Sequence, residues 1–191
     1  DMEGSEYTAA VEVPEGASLT IDGDGSLIAN GGIAGAGIGS RGSKRNGGSL
    51  DAGSITINGG YIYATGGWGK AGGGAGIGGG NGGGVKSILV TGGYVHAKGT
   101  KAACGIGMGN NGPLLEDGTF RVTGGTALIE NGDGCMFSDF VTSSGGVISP
   151  TGGTPIVIDG GSVRPKNFSG QDNPYPNPVN SNGERLKYAI I

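Results

Sequence analysis

A pair of glycines closes a short alternating apolar segment again and again along this chain, and that recurrence limits its possible folds more than any other feature. The aliphatic residue before each turn is Ile21, Ile57, Val90, Val122 and Ile158, in steps of 36, 33, 32 and 36 residues. The turns read Asn58-Gly59-Gly60, Thr91-Gly92-Gly93, Thr123-Gly124-Gly125 and Asp159-Gly160-Gly161, with a one-residue expansion at Asp22-Gly23-Asp24-Gly25. Periods of this length mark units that stack on one another. Helical repeats of similar length need good helix formers, whereas glycine pairs and alternating β-branched residues point to strands.

Each unit spells strand, turn, strand, loop, strand. In the first strand, alternation turns Leu19 and Ile21, Ile55 and Ile57, Ile88 and Val90, Phe120 and Val122, and Ile156 and Ile158 to one side. The second strand turns Leu27 and Ala29, Ile62 and Ala64, Val95 and Ala97, Ala127 and Ile129, and then Val163 the same way. A third, small-residue segment follows at Ala36-Gly37-Ile38-Gly39, Ala75-Gly76-Ile77-Gly78 and Cys104-Gly105-Ile106-Gly107, with a fourth version at Gly134-Cys135-Met136-Phe137. Stacked at ~4.8 Å, these units place like residue on like residue.

The expected fold is therefore all-β: a single-stranded parallel β-helix of about five coils, right-handed because right-handed crossovers dominate parallel connections. It spans residues 17–164. Residues 1–16 are expected to supply an N-terminal cap strand, with Val11-Glu12-Val13 ended by a Pro-Glu-Gly turn. Residues 165–191 read as a Pro/Asn-rich tail with a terminal strand at Leu186 to Ile191.

Composition narrows the partners. Glycine contributes 48 of 191 residues, without a Gly-X-Y period, so collagen is excluded and the regular apolar pattern excludes a disordered linker. Twelve basic against sixteen acidic side chains leave a net charge of −4, which argues against nucleic acid as a partner. No apolar run approaches the ~18 residues of a membrane span.

The outward positions of the second strand carry the chemistry. Turn by turn they are Ser26 and Ile28, Tyr61 and Tyr63, Tyr94 and His96, Thr126 and Leu128, Ser162 and Arg164. Tyr61 is expected to stack on Tyr94 and Tyr63 on His96, with Trp68 one loop away. The only tryptophan and the only histidine thus gather with three of the six tyrosines. A rigid aromatic face suits the apolar face of a sugar ring, with phenol hydroxyls free to hydrogen-bond. The same residues also fit a ladder that only stabilises the sheet, or a stripe covered by the C-terminal tail. Lys70 and Lys101, in the loops after these strands, could pair with sugar carboxylates as point charges or simply be solvated.

Cys104 and Cys135 fall 14 and 13 residues after their anchors, so they share an angular position on adjacent coils. They fit either a disulfide or a buried stack of two thiols. No acidic spacing matches a calcium loop, and no carboxylate pair stands out for glycoside hydrolysis. The glycine run 72–84 lacks the Gly-Lys-Ser/Thr ending of a phosphate loop. No catalytic residue, metal or cofactor is expected.

The wording Ile55-Thr56-Ile57-Asn58-Gly59-Gly60, then Ala64-Thr65-Gly66-Gly67, then Gly74-Ala75-Gly76-Ile77-Gly78-Gly79-Gly80 resembles the glycine-rich β-helix repeats of secreted or wall-attached gut-bacterial proteins, described as carbohydrate-binding or adhesin-like. Asn177-Pro178-Val179-Asn180-Ser181-Asn182-Gly183 is similar to the junctions after such repeats. The resemblance covers roughly residues 17–190 and implies an extracellular, modular, non-enzymatic protein with flanking domains. It carries over no binding residues.

The resulting expectation is a non-catalytic module for a polysaccharide or host glycan at the cell surface, contacted through Tyr61, Tyr63, Trp68, Lys70, Tyr94, His96 and Lys101. A structural spacer is the alternative. A polysaccharide lyase or hydrolase would need more coils and longer loops.

Overall fold

The computed structural model describes residues 1–43, 50–113, 119–130, 132, 157–158 and 162–165. Among these described residues the regular structure is entirely β. The first strands of the coils are β3 (Ser18–Ile21), β6 (Ala52–Ile57), β9 (Val85–Val90), β12 (Thr119–Val122) and β14 (Val157–Ile158). They pair in parallel, in that order, into one sheet. A second sheet stacks β4 (Ser26–Asn30), β7 (Tyr61–Thr65), β10 (Tyr94–Lys98), β13 (Thr126–Glu130) and β15 (Ser162–Pro165). A third stacks β5 (Ile38–Gly39), β8 (Ile77–Gly78) and β11 (Ile106–Gly107).

The chain is thus a parallel β-solenoid, as the repeat predicts. Its register follows the turn anchors: Ile21 pairs with Ile57, Ile57 with Val90, Val90 with Val122 and Val122 with Ile158. Three turns carry a strand on every sheet among the described residues, those built from β3 to β5, β6 to β8 and β9 to β11. Ahead of them, β1 (Met2–Glu3) pairs beside β4 and β2 (Val11–Glu12) beside β5. The alternation marks Val11, but nothing in it marks Met2 as a strand residue.

Period-two alternation fills the interior. Ile55, Ile57, Ile62, Ile77, Ile88, Val90, Val95, Ile106 and Ile129 are all fully buried. At the first coil Leu19, Ile21 and Leu27 are only half-buried: β3 lies at the end of its sheet, and on β4 the short β1 pairs with Ala29 and Asn30 but stops before Leu27.

Two glycine positions make the coil possible. The second glycine of each turn, at Gly60, Gly93 and Gly125, has φ of 83°, 76° and 73°, a left-handed corner that glycine enters without steric penalty. In the third strand Gly39, Gly78 and Gly107 have φ of 140°, 134° and 130°. There a Cβ on Gly39 would overlap the carbonyl oxygen of Gly78, and one on Gly78 that of Gly107. The coils approach so closely on this side that the Ile-Gly pair admits a side chain only inward.

Cys104 is fully buried in this narrow corner, in the position of Ala36 and Ala75. The equivalence shows in the ladder, where Gly37 N donates to Ala75 O at 3.0 Å and Gly76 N to Cys104 O at 3.3 Å. Cys135 lies outside the described residues, and so does the expected pairing. The fourth third-strand segment and the tail of residues 166–191 lie outside them as well.

Candidate functional site

The second sheet presents its outward face through strands of five residues, whose odd positions point away from the core. Pairing sets Tyr61 between Ser26 and Tyr94, and Tyr63 between Ile28 and His96. On the far side Tyr94 pairs with Thr126 and His96 with Leu128. A third outward column holds Asn30, Thr65, Lys98 and Glu130.

The aromatic rings meet across the coils. Tyr61 and Tyr94 have centroids 6.5 Å apart at 37°, and Tyr63 and Tyr94 lie 6.0 Å apart at 48°. Tyr63 meets His96 at 6.0 Å, edge to face at 67°. Such tilted and edge contacts suit the ring quadrupole. Tyr61 is 56% exposed and Tyr63 40%, whereas Tyr94 sits lower between them. The face is ridged rather than flat: Tyr61 and Tyr63 rise from it and Tyr94 forms the floor.

His96 is held from the next coil. Its Nε2 lies 2.6 Å from Oε1 of Glu130, a carboxylate only 6% exposed. Lys98 Nζ approaches the other oxygen of Glu130 at 4.0 Å. The His96 side chain itself is 27% exposed beside the Tyr63 ring. Sequence reading missed Glu130. The signal was present, since it follows Ile129 by one residue and so continues the outward column of Lys98.

Trp68 occupies the loop between the second and third sheets. Seven residues lie between Asn30 and Ile38 and between Lys98 and Ile106, but eleven lie between Thr65 and Ile77, so this loop is four residues longer. The extra residues fold back, and Trp68 forms an antiparallel bridge with Gly73. The tip presents Lys70 to solvent, and Trp68 is 61% exposed. Lys101 reaches over the indole, its Nζ 5.7 Å from the ring centroid, and donates to the carbonyl of Lys70 at 2.6 Å. Lys101 adopts φ 51°, a left-handed conformation uncommon for a side-chain-bearing residue. Its place in the coil corresponds to Trp68 and Ile33, each three residues past the last strand position. Ile33 was missed as well; the shared Gly-Gly spacing of Gly31-Gly32-Ile33 and Gly66-Gly67-Trp68 marks it.

Tyr61, Tyr63, Tyr94 and His96 therefore form one contiguous cluster, and Trp68, Lys70 and Lys101 form a second one at the loop beside it. Seven large hydrophobic residues are exposed among the described residues, and Ile28, Ile33, Tyr61, Tyr63 and Trp68 of this region account for five. Exposed apolar residues concentrated in one region mark interaction surfaces.

Elsewhere, a cleft of about 310 Å³ is lined by Glu12, Pro14, Ser40, Arg41, Leu50 and Asp51, and Arg41 Nη2 pairs with Glu12 at 2.7 Å across it. Among the described residues no group of three His, Cys, Asp or Glu side chains is gathered as a metal site, and no helix is long and apolar enough to cross a membrane. Compared with protein-family models, with curated proteins and with solved structures, the chain matches none.

Proposed function

We propose that this protein is a non-catalytic glycan-binding or adhesion module, acting outside the cell as part of a larger bacterial surface protein. The observation that carries the reading is the exposure of Tyr61, Tyr63 and Trp68 on one side of a rigid stack of coils, with Tyr94 and His96 between and beneath them. Sugars offer an apolar ring face and a rim of hydroxyls, and this surface offers aromatic carbon with polar atoms at its edges. Strands of the solenoid hold Tyr61, Tyr63, Tyr94 and His96, so little order is lost there on binding, and Trp68 is tied by its bridge to Gly73.

The test is a glycan array probed with the intact chain and with a Tyr61→Ala/Tyr94→Ala double variant. The variant should lose the retained glycans while its circular dichroism spectrum stays that of the parent. Undiminished retention by the variant would remove the aromatic face from the site.

A structural spacer is the second reading. It draws on the cross-coil contacts of Tyr61, Tyr94, Tyr63 and His96, since aromatic pairs across strands stabilise a sheet by about 0.2–1 kcal/mol each. It predicts a loss of stability in the double variant and an empty array for both proteins.

A further inference from the structure

We infer that the glycan this face takes is anionic, a saccharide bearing carboxylate or sulfate groups; the inference rests on the glycan-binding reading and adds its charge. The chain as a whole is acidic, yet its charges are segregated along the solenoid axis. Eight of its sixteen Asp and Glu residues fall within residues 1–51. Residues 52–113, which make the two coils with the aromatic cluster, contain none, and they carry four lysines, Lys70, Lys86, Lys98 and Lys101. A net charge of −4 conceals a cationic band two coils deep.

Three of those lysines border the aromatic residues. Lys98 ends β10, two residues past His96, and its side chain is half-exposed. Lys101 lies over Trp68, and Lys70 stands at the tip of the same loop. Among the described residues the acid that contacts this cluster, Glu130, is buried and turned toward His96 and Lys98. It fixes those two side chains rather than facing a ligand. A sugar lying on Tyr61, Tyr63 or Trp68 thus has ammonium groups beside it, and the two coils that carry these residues contribute no carboxylate of their own. Charge pairing at such a solvent-exposed rim contributes selectivity and on-rate more than affinity.

Cations with aromatics also describe a single-strand nucleic-acid surface, but the charge balance favours a saccharide. The whole chain carries a net charge of −4, whereas binding a phosphate backbone draws on a surplus of Lys and Arg.

The intact chain would be run through gels containing polygalacturonate, the same polymer methyl-esterified, dextran sulfate, unsubstituted dextran, or single-stranded DNA, at low and high salt. Polygalacturonate or dextran sulfate should retard it about tenfold more strongly than the uncharged counterpart, and salt should abolish the difference. Retardation by only one of the two assigns the group as carboxylate or sulfate. A Lys98→Gln/Lys101→Gln variant should fall to the level of the esterified polymer, whereas Tyr61→Ala/Tyr94→Ala should lose the uncharged polymers as well. Equal retardation by acid and ester overturns the anionic assignment and leaves the glycan reading standing. Tightest retention by DNA overturns both in favour of a nucleic-acid surface, and no retention by any polymer, together with an empty glycan array, removes both.

Discussion

His96 and Glu130 meet on a diagonal: Nε2 of the histidine lies 2.6 Å from Oε1 of the glutamate on the following coil, although the residue directly beside His96 is Leu128. The glutamate is almost wholly buried, so the imidazole donates to or accepts from a desolvated carboxyl group, which Lys98 approaches from farther away. Removing the imidazole takes a short hydrogen bond from a buried carboxyl group, which costs more than an ordinary surface contact. His96→Ala should therefore lower stability by about 2 kcal/mol in urea unfolding. Lys98→Ala, which removes an exposed partner at 4.0 Å, should cost under about 0.5 kcal/mol. Equal effects of the two would show that the diagonal bond contributes nothing particular.

The third strand tolerates no Cβ outward. Gly78→Ala combines a φ of 134° with overlap on the Gly107 carbonyl, so it should destabilise the fold by about 3 kcal/mol or more. Gly25→Ala is the control, because a Cβ there meets nothing within 4 Å and φ is not positive. Thermal unfolding followed by circular dichroism separates the two, and a Gly78→Ala protein as stable as Gly25→Ala would contradict the close coil contact.

Inward and outward isoleucines should differ sharply. Ile77 is fully buried between Ile38 and Ile106, and Ile77→Ala should cost about 2–5 kcal/mol through lost burial and the cavity left behind. Ile28 stands on the outer face, 38% exposed, and Ile28→Ala should stay within about 0.5 kcal/mol of the parent. Chemical denaturation of both variants, with unchanged m-values, makes the comparison.

Trp68 is the only tryptophan of the chain and is exposed, so its emission reports on the loop alone. Acrylamide should quench it readily in the free protein. A bound saccharide should shift the emission to shorter wavelength and protect the indole from the quencher. Lys101→Met should alter the emission of the free protein while costing under about 1 kcal/mol of stability, since the cation lies at an exposed site. Emission insensitive to Lys101→Met would place the ammonium elsewhere in solution.

The coil was legible because its rules are local. Side-chain alternation is a property of any extended backbone, so Ile55, Ile62 and Val95 could be placed inside from spacing alone, and the five anchors from Ile21 to Ile158 fall in register. The stacking of Tyr61 with Tyr94 and of Tyr63 with His96 followed from the same count. Glu130 and Ile33 were overlooked for a different reason. An acid after an apolar strand reads as solvated, and a lone isoleucine after a glycine pair reads as part of a turn, until neighbouring coils are laid beside them.

The order of residues along the chain settled that this protein coils, which side chains line its interior and which columns face outward, because backbone geometry and glycine's access to left-handed corners act over a few residues at a time. Contacts running obliquely between coils came only with the assembled solenoid: the imidazole turned toward Glu130, the lysine laid over Trp68, the loop folded back at Gly73. Those depend on loop lengths and on which neighbour each long side chain can reach, and such choices are made between coils rather than along them.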